Sequence, residues 1–89
     1  MDEALRRAIH PQDMARVLEL RAHLHEIRGQ VETEFRIVRP DGTVRYLWAM
    51  SDEPERDERG CVLRQTGVMQ DITERKLREL ETEQLLRQL

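Results

Sequence analysis

Between positions 31 and 71, apolar and polar side chains alternate in three successive runs, and this limits the folds that the chain can adopt. In the first run, Val31, Phe35 and Ile37 are interleaved with charged residues. A period of two is expected of a strand with one buried face, so the pattern predicts a strand over 31–38. The runs at 43–50 and 62–71 predict two more strands.

Pro40-Asp41-Gly42 separates the first two runs and predicts a tight reversal. Proline fixes φ, the aspartate side chain can bond the backbone ahead of it, and glycine accepts a positive φ. The second strand must therefore return antiparallel to the first. Residues 51–60 are nearly all charged or turn-forming, which predicts a solvated hairpin loop before the third strand. The result is a three-stranded antiparallel meander.

Both faces of the second strand carry apolar side chains, so both are expected to meet other parts of a protein. One face holds Val44, Tyr46, Trp48 and Met50, and the other holds Leu47 and Ala49.

A helix is predicted ahead of the strands, over about 11–28. His10-Pro11-Gln12-Asp13 has proline at the first helical position and an acidic residue in the first turn, where it suits the free N–H groups. An apolar stripe follows at helical spacing, and Gly29 ends the pattern. The stripe consists of Val17, Leu20, Leu24 and Ile27, widened by Met14 and Leu18.

After the third strand the pattern becomes helical again, from Thr73 to the end. Thr73 is predicted to cap this helix, alone or with Asp71. Leu77 and Leu80 begin an apolar seam. Two interpretations remain open: a linker helix that starts a parallel coiled coil, or a helix that folds back over Tyr46 and Trp48.

Composition excludes several classes of protein. The 89 residues allow one small domain, and 15 basic against 18 acidic residues give a net charge of −3, which does not favour nucleic acid. No apolar run is long enough for a signal peptide or a membrane span, and the single cysteine rules out an internal disulfide, so a cytoplasmic setting is expected. No catalytic triad, phosphate loop or metal-ligand spacing occurs, so the segment is predicted not to be an enzyme.

Four signatures, in their order and spacing, resemble a PAS sensor domain. They are His10-Pro11-Gln12-Asp13 ahead of a helix, Glu34-Phe35-Arg36-Ile37-Val38-Arg39-Pro40-Asp41-Gly42-Thr43-Val44-Arg45-Tyr46, Gly60, and Gly67-Val68-Met69-Gln70-Asp71-Ile72-Thr73-Glu74-Arg75-Lys76. The last three are similar to the carboxy-terminal half of the domain, the PAC motif. The resemblance extends from about Ala8 to Lys76.

This resemblance implies an α+β fold, a partial PAS fold with one main helix, a three-stranded antiparallel sheet and a carboxy-terminal linker helix. It divides the chain into an amino-terminal extension (1–9), a truncated PAS domain (10–72) and the start of a signalling helix (73–89). The predicted ligand-lining residues are Phe35, Ile37, Leu47, Ala49 and Met69, although plain core packing explains them as well. Tyr46, Trp48, Leu77 and Leu80 are predicted to contact a flanking helix or a second subunit.

Some PAS domains hold haem through a histidine on the corresponding helix, and others carry a reactive cysteine beside a flavin. Here His10 belongs to the helix-start signature, and His23 and His25 are two residues apart and cannot share a helix face. Cys61 lies in a hairpin, far along the chain from the flavin position. Neither haem nor flavin is expected, and no metal ligand is predicted.

A complete PAS domain begins with two further strands and several short helices, for which this chain has about nine residues. Trimming, a late start of the reading frame or self-association would each account for the difference. The edge of the first strand and much of the apolar face of the sheet are expected to be open, which favours a homodimer in which elements could be exchanged.

The predicted function is a sensory and dimerisation module of a signal-transduction protein, in a parent such as a histidine kinase or a cyclic-dinucleotide enzyme. Arg45, Asp71 and Thr73 are predicted to pass a change from the sheet to the last helix. The alternatives are a ligand-free association domain and a stand-alone module that binds a small molecule.

Overall fold

The fold consists of helices at both ends and strands between them, in a computed structural model that describes residues 3–89. The first two residues, which belong to the predicted amino-terminal extension, lie outside the described residues. The helices are α1 (Glu3–Ala8), α2 (Pro11–His23), a 3₁₀ turn (Leu24–Glu26) and α3 (Thr73–Arg87). The strands are β1 (Val31–Val38), β2 (Val44–Ser51), β3 (Glu55–Arg56), β4 (Val62–Arg64) and β5 (Gly67–Asp71). The predicted α+β class is confirmed.

The main sheet has the order β1–β2–β5, with antiparallel neighbours throughout. The reversal between β1 and β2 is the predicted one. Gly42 has φ +86°, and the Asp41 carboxylate accepts the N–H of Thr43 at 2.9 Å. Opposite residues share a face, so Phe35 lies beside Leu47 and Ala49 beside Met69.

The predicted third strand, 62–71, is instead two strands, because Pro54 interrupts its pairing with β2. Asp52 donates its N–H to the carbonyl of Thr66 at 2.9 Å, so the next hydrogen-bonded pair would be Pro54 with Arg64. Proline has no N–H for that bond. Arg64 pairs with Glu55 instead, the register shifts, and a separate β3–β4 hairpin forms within the predicted loop.

The first long helix ends earlier than the predicted position 28. It runs to His23 and tightens into the 3₁₀ turn, where the N–H of Ile27 bonds the carbonyl of Leu24 at 3.2 Å. Such a turn satisfies carbonyls that the end of a helix leaves free. Ile27 is already extended, and Gly29, with φ +83°, turns the chain into β1.

The core lies between the two amino-terminal helices and one face of the sheet. Its buried residues are Ile9, Val17, Phe35 and Leu47. Leu5, Met14, Ile37 and Ala49 pack against them and are partly exposed. The face that holds Phe35 and Leu47 is called the inner face below, and the face that holds Tyr46 and Trp48 the outer face.

A buried carboxylate, Asp13 in the first turn of α2, joins the helix to β1. It accepts three hydrogen bonds from Arg36, from the backbone N–H (2.8 Å), Nε (3.0 Å) and Nη2 (2.8 Å). The side-chain bonds from Arg36 lower the pKa of Asp13 from 3.8 to about 2, although burial opposes the shift. Asp13 therefore remains charged and fixes the position of α2 against the sheet.

Replacing Asp13 with Asn should destabilise the domain by about 2–4 kcal/mol, because Arg36 would lose its charged partner in a mostly buried position. Chemical denaturation measures this change. Glu19→Gln, which removes an exposed carboxylate from the same helix, is the control and should change stability by less than about 0.5 kcal/mol. Equal effects of the two substitutions would contradict the proposed role of Asp13.

Candidate functional site

A largely apolar pocket of about 340 Å³ lies between the helices and the inner face of the sheet. It is lined by Leu5, Val17, Leu20, Arg21, Leu24, Val31, Thr33, Phe35, Ala49, Ser51 and Met69. All three strands of the main sheet contribute to it, and Met69 from β5 is 49% exposed at its open side. A pocket of this composition suits a small apolar molecule or an apolar side chain.

The five residues predicted to line a ligand site divide into two groups. Phe35, Ala49 and Met69 line the pocket. Leu47 is buried in the core, and Ile37 packs against that core, so these two lie beside the pocket rather than on its wall. A ligand-binding role for all five remains a prediction.

The junction between β5 and α3 forms the second part of the site, and its centre is Asp71. One carboxylate oxygen of Asp71 accepts a hydrogen bond from Arg45 Nε on β2 at 2.8 Å. The other accepts from the N–H and the hydroxyl of Thr73, at 2.9 and 2.6 Å. The bond from Arg45, followed by those from Thr73, lowers the pKa of Asp71 from 3.8 to about 2. Arg45 and Thr73, the other two residues predicted to transmit a signal, thus both bond Asp71.

Thr73 does not cap α3, and that part of the prediction is wrong. Ile72 is the capping residue, and its own carbonyl accepts the N–H of Lys76 at 2.9 Å. Because this carbonyl has turned toward the helix, the N–H of Tyr46 on β2 lacks the acceptor that would continue the ladder. The Thr73 hydroxyl accepts that N–H at 2.8 Å. Thr73 therefore bonds the first turn of α3 directly to the central strand.

Ion pairs hold the start of α3 over the outer face of the sheet. Glu34, which lies opposite Trp48, accepts a hydrogen bond from Lys76 Nζ at 3.2 Å and faces Arg75 Nη2 at 3.8 Å. Every residue of α3 after Lys76 is exposed, including Leu77 (52%) and Leu80 (41%). The helix thus leaves the sheet after its first turns and does not fold back over it.

Tyr46 and Trp48 remain half-buried on the outer face. Their predicted contact with a second subunit or a flanking helix, together with that of Leu77 and Leu80, stays a prediction.

The histidines and the cysteine have structural explanations where the structure describes them. His10 Nδ1 accepts the N–H of Gln12 at 3.0 Å at the start of α2, and the His23 ring bonds the Glu19 carbonyl at 2.9 Å. The side chain of His25 lies outside what the structure describes. Cys61 is an exposed free thiol. Within the described part of the chain, no cluster of His, Cys, Asp or Glu could hold a metal ion.

No helix among residues 3–89 is both long and apolar enough to cross a membrane.

Two ion pairs between distant residues could not be predicted from the sequence pattern. Asp13 had a complete explanation as a first-turn acidic residue, and nothing in the alternation of β1 distinguished Arg36 as its partner. Glu34 had the pattern of an ordinary exposed charge on a strand. In both cases the partner lies on another element, so only the packing of helix on sheet brings the charges together.

Comparisons with known proteins agree on the family. A family profile described as "PAS fold" matches residues 2–69, more than half of the chain. A solved structure of a sensory box histidine kinase/response regulator from Burkholderia thailandensis is similar, with a TM-score of 0.71 and 29% identity. The alignment covers 92% of this chain and 64% of that one. The chain therefore belongs to the PAS family, and its fold is that of a sensory module.

A second solved structure is the PAS domain of a GGDEF family protein from Chromobacterium violaceum, with 35% identity and a TM-score of 0.45. That alignment covers 73% of this chain and 59% of the other. The chain thus spans less than two thirds of either relative. No curated protein matches it significantly.

Replacing Thr73 with Val should destabilise the domain by about 1–3 kcal/mol, because the N–H of Tyr46 would lose its acceptor in a partly buried position. Valine preserves the shape of the side chain but lacks the hydroxyl, whereas Thr73→Ser keeps the hydroxyl and is the control. Thermal melting of the three proteins measures the effect. A valine variant as stable as the native domain would contradict this role.

The two carboxylates with lowered pKa values predict loss of stability in acid. The pKa values of Asp13 and Asp71 are each about 2 in the folded domain, below their ordinary value of 3.8. Their contribution is therefore complete above about pH 4 and lost as the pH falls toward 2. Melting temperatures measured from pH 6 down to pH 2 should decrease as the pH falls from about 4 to about 2. An Asp13→Asn, Asp71→Asn double variant should show a flatter profile, and an equally steep one would contradict the assignment.

Proposed function

We propose that this PAS domain senses occupancy of its inner-face pocket and passes the change to α3 through the Arg45–Asp71–Thr73 junction. One observation carries the proposal: the strands that line the pocket also hold the first turn of α3. Ala49 on β2 and Met69 on β5 line the pocket. Arg45 and the N–H of Tyr46, both on β2, bond Asp71 and Thr73.

The distance between the two parts of the site is short. Met69 and Asp71 are two residues apart on β5 and project to the same face, so a shift of β5 that accommodates a ligand beside Met69 also moves the Asp71 carboxylate. Hydrogen bonds from the Arg45 guanidinium and from the Thr73 hydroxyl link that carboxylate to β2 and to α3, respectively. A displacement of less than 1 Å is enough to weaken bonds of this kind, because their strength falls steeply with distance and angle.

The proposed occupant is a small apolar ligand or an apolar side chain from a partner, since few polar atoms line the pocket. The proposed receiver is an output domain that follows α3 in the parent protein. A parent of the two-component type is supported by the similarity to a sensory box histidine kinase. In this view the catalytic activity belongs to the output domain, and the segment described here regulates it.

A ligand-free association domain is the second candidate. It is favoured by the exposed apolar side chains on α3, among them Leu77, Leu85 and Leu86. In that case the bonds of Asp71 would only hold α3 in place. Breaking them would lower the stability of the domain and the output activity together. The two candidates therefore differ in the outcome of the same experiment.

The coupling experiment compares Arg45→Gln, Asp71→Asn and the double variant in the full-length protein. The Arg45–Asp71 pair is partly exposed, with side chains 29% and 41% accessible. Losing it through Arg45→Gln should lower stability by only about 0.2–1 kcal/mol. Output activity should change by much more than this small loss of stability explains. The double variant should have no lower output than the more affected single variant, because both substitutions break the same link.

Arg59→Gln, a loss of the same charge in the β3–β4 hairpin, is the matched control and should leave output unchanged. Output that falls only in proportion to the melting temperature in all variants would favour the association domain. Additive effects of Arg45→Gln and Asp71→Asn on output would show that the two residues do not act through one link.

A further inference from the structure

We propose that Glu34 on β1 is a positioning residue that couples α2 to α3. Its backbone carbonyl is bound by α2 and its carboxylate by α3, so it forms a second link between the pocket and the last helix, separate from Asp71. The inference rests on the proposed function, in which the pocket acts on α3, and the experiment below distinguishes the failure of one from the failure of the other.

Arg16 makes the contact between α2 and this part of β1. Its guanidinium donates from Nη1 to the hydroxyl of Thr33 at 3.0 Å and from Nη2 to the carbonyl of Glu34 at 2.6 Å. Thr33 lines the pocket, and so does Val17, the residue after Arg16 in α2. A movement of α2 or of Thr33 that makes room for an occupant therefore stretches both bonds of Arg16.

The pairing of β1 explains why the Glu34 carbonyl is available to α2. Hydrogen-bonded pairs alternate along antiparallel strands. The N–H and the carbonyl of Arg36 bond Asp13 and His10, so the even-numbered residues of β1 turn their backbone groups away from β2. Glu34 belongs to the same set, and Arg16 satisfies its carbonyl from the side of α2.

The side chain of Glu34 makes the contact with α3, on the outer face of the sheet. Oε2 accepts a hydrogen bond from Lys76 Nζ at 3.2 Å, and Oε1 lies 3.8 Å from Arg75 Nη2. Each carboxylate oxygen thus faces a different cation of α3. The side chain of Lys76 is 30% accessible and that of Arg75 is 55% accessible, so solvent screens the pair with Lys76 less.

These two contacts belong to one residue but act on opposite faces of the sheet. Successive side chains of a strand point to opposite faces, so Thr33 lies toward the pocket and Glu34 toward α3. When Arg16 releases the carbonyl, this part of β1 is free to rotate about the strand axis. A rotation that moves Thr33 carries the carboxylate of Glu34 with it, and the change crosses the sheet within two adjacent residues.

The second link determines the direction of α3. Thr73 attaches the helix to β2, and a helix with one attachment pivots about it. Lys76 is three residues further on, close to one turn of helix, and attaches α3 to β1. Two attachments on different strands fix the direction of the helix axis as well as its position.

The test measures the direction of α3 by pulsed electron paramagnetic resonance in the full-length protein. Spin labels are placed at two exposed positions, Arg39→Cys after β1 and Gln84→Cys on α3, with Cys61 and every other exposed cysteine replaced by serine. Dilution with unlabelled protein restricts the measured distances to pairs within one chain. Gln84 lies about 16 Å from Thr73 along the helix, so a pivot of about 20° moves its label by about 5–6 Å.

Glu34→Gln and Lys76→Gln should each broaden the distance distribution and shift its maximum on this scale, because each removes the charge pair that stops the pivot. Glu32→Gln is the matched control and should leave the distribution unchanged, since it removes the same charge from an exposed position two residues away on the same face. The double variant Glu34→Lys, Lys76→Glu should return the maximum toward its native position, whereas Glu34→Lys alone should not. A general loss of stability would not be rescued in this way.

Arg16→Met tests the coupling through β1. Methionine keeps most of the length of the side chain but removes the donors to Thr33 and Glu34. A shift of the same kind as in Glu34→Gln is expected, although the substitution lies on α2 and the label on α3.

An unchanged distribution in Glu34→Gln and Lys76→Gln would overturn the positioning role, and an unchanged one in Arg16→Met would overturn the coupling to α2. Neither result affects the proposed function, which depends on Arg45 and Asp71. A helix that shifts in all three variants while output activity stays at the native level would instead support the inference and contradict the proposed function. Glu34 and Lys76 are both partly exposed, so if one glutamine variant fails to fold, the other decides the outcome.

Discussion

The contact between Asp13 and Arg36 is the interaction on which the rest of the structure depends. The sheet has only three main strands, and its inner face needs a cover before it can form a core. Three hydrogen bonds to one buried carboxylate fix α2 at the edge of β1 and thereby place Val17 over Phe35 and Leu47. The same carboxylate satisfies an edge N–H, so one residue both holds the cover and closes that side of the sheet.

The central strand β2 connects everything else. The backbone groups of its odd-numbered residues form hydrogen bonds with β1, and those of its even-numbered residues form them with β5. At Tyr46 the neighbour changes from strand to helix, and the Thr73 hydroxyl replaces the missing carbonyl. This substitution lets the ladder continue into α3 without leaving a partly buried N–H unpaired. The pocket and the junction are consequently parts of one hydrogen-bonded unit.

Much of the fold could be predicted from local patterns. The alternation over 31–38, the turn at Pro40-Asp41-Gly42 and the proline at the start of α2 each act through residues close together in sequence, and each forms as expected. Pro54 causes the split of the third strand, but this could be predicted only with the register between β2 and the third strand in hand. For the site, the proximity of Arg45, Asp71 and Thr73 was predicted, whereas the detailed role of Thr73 was not, because a hydroxyl at a helix start ordinarily caps the helix.

The sequence by itself determined the first two strands of the main sheet, the start of α2, the antiparallel order of the main strands and the membership of the PAS family, because periodicity, turn chemistry and motif spacing are local properties. Only the tertiary structure decided which charges meet and where α3 goes. Asp13 with Arg36 and Glu34 with Lys76 are 23 and 42 residues apart. Their contacts depend on how helices pack on a twisted sheet, and that geometry arises from the burial of Phe35, Leu47 and Val17 rather than from any pattern near the charges themselves.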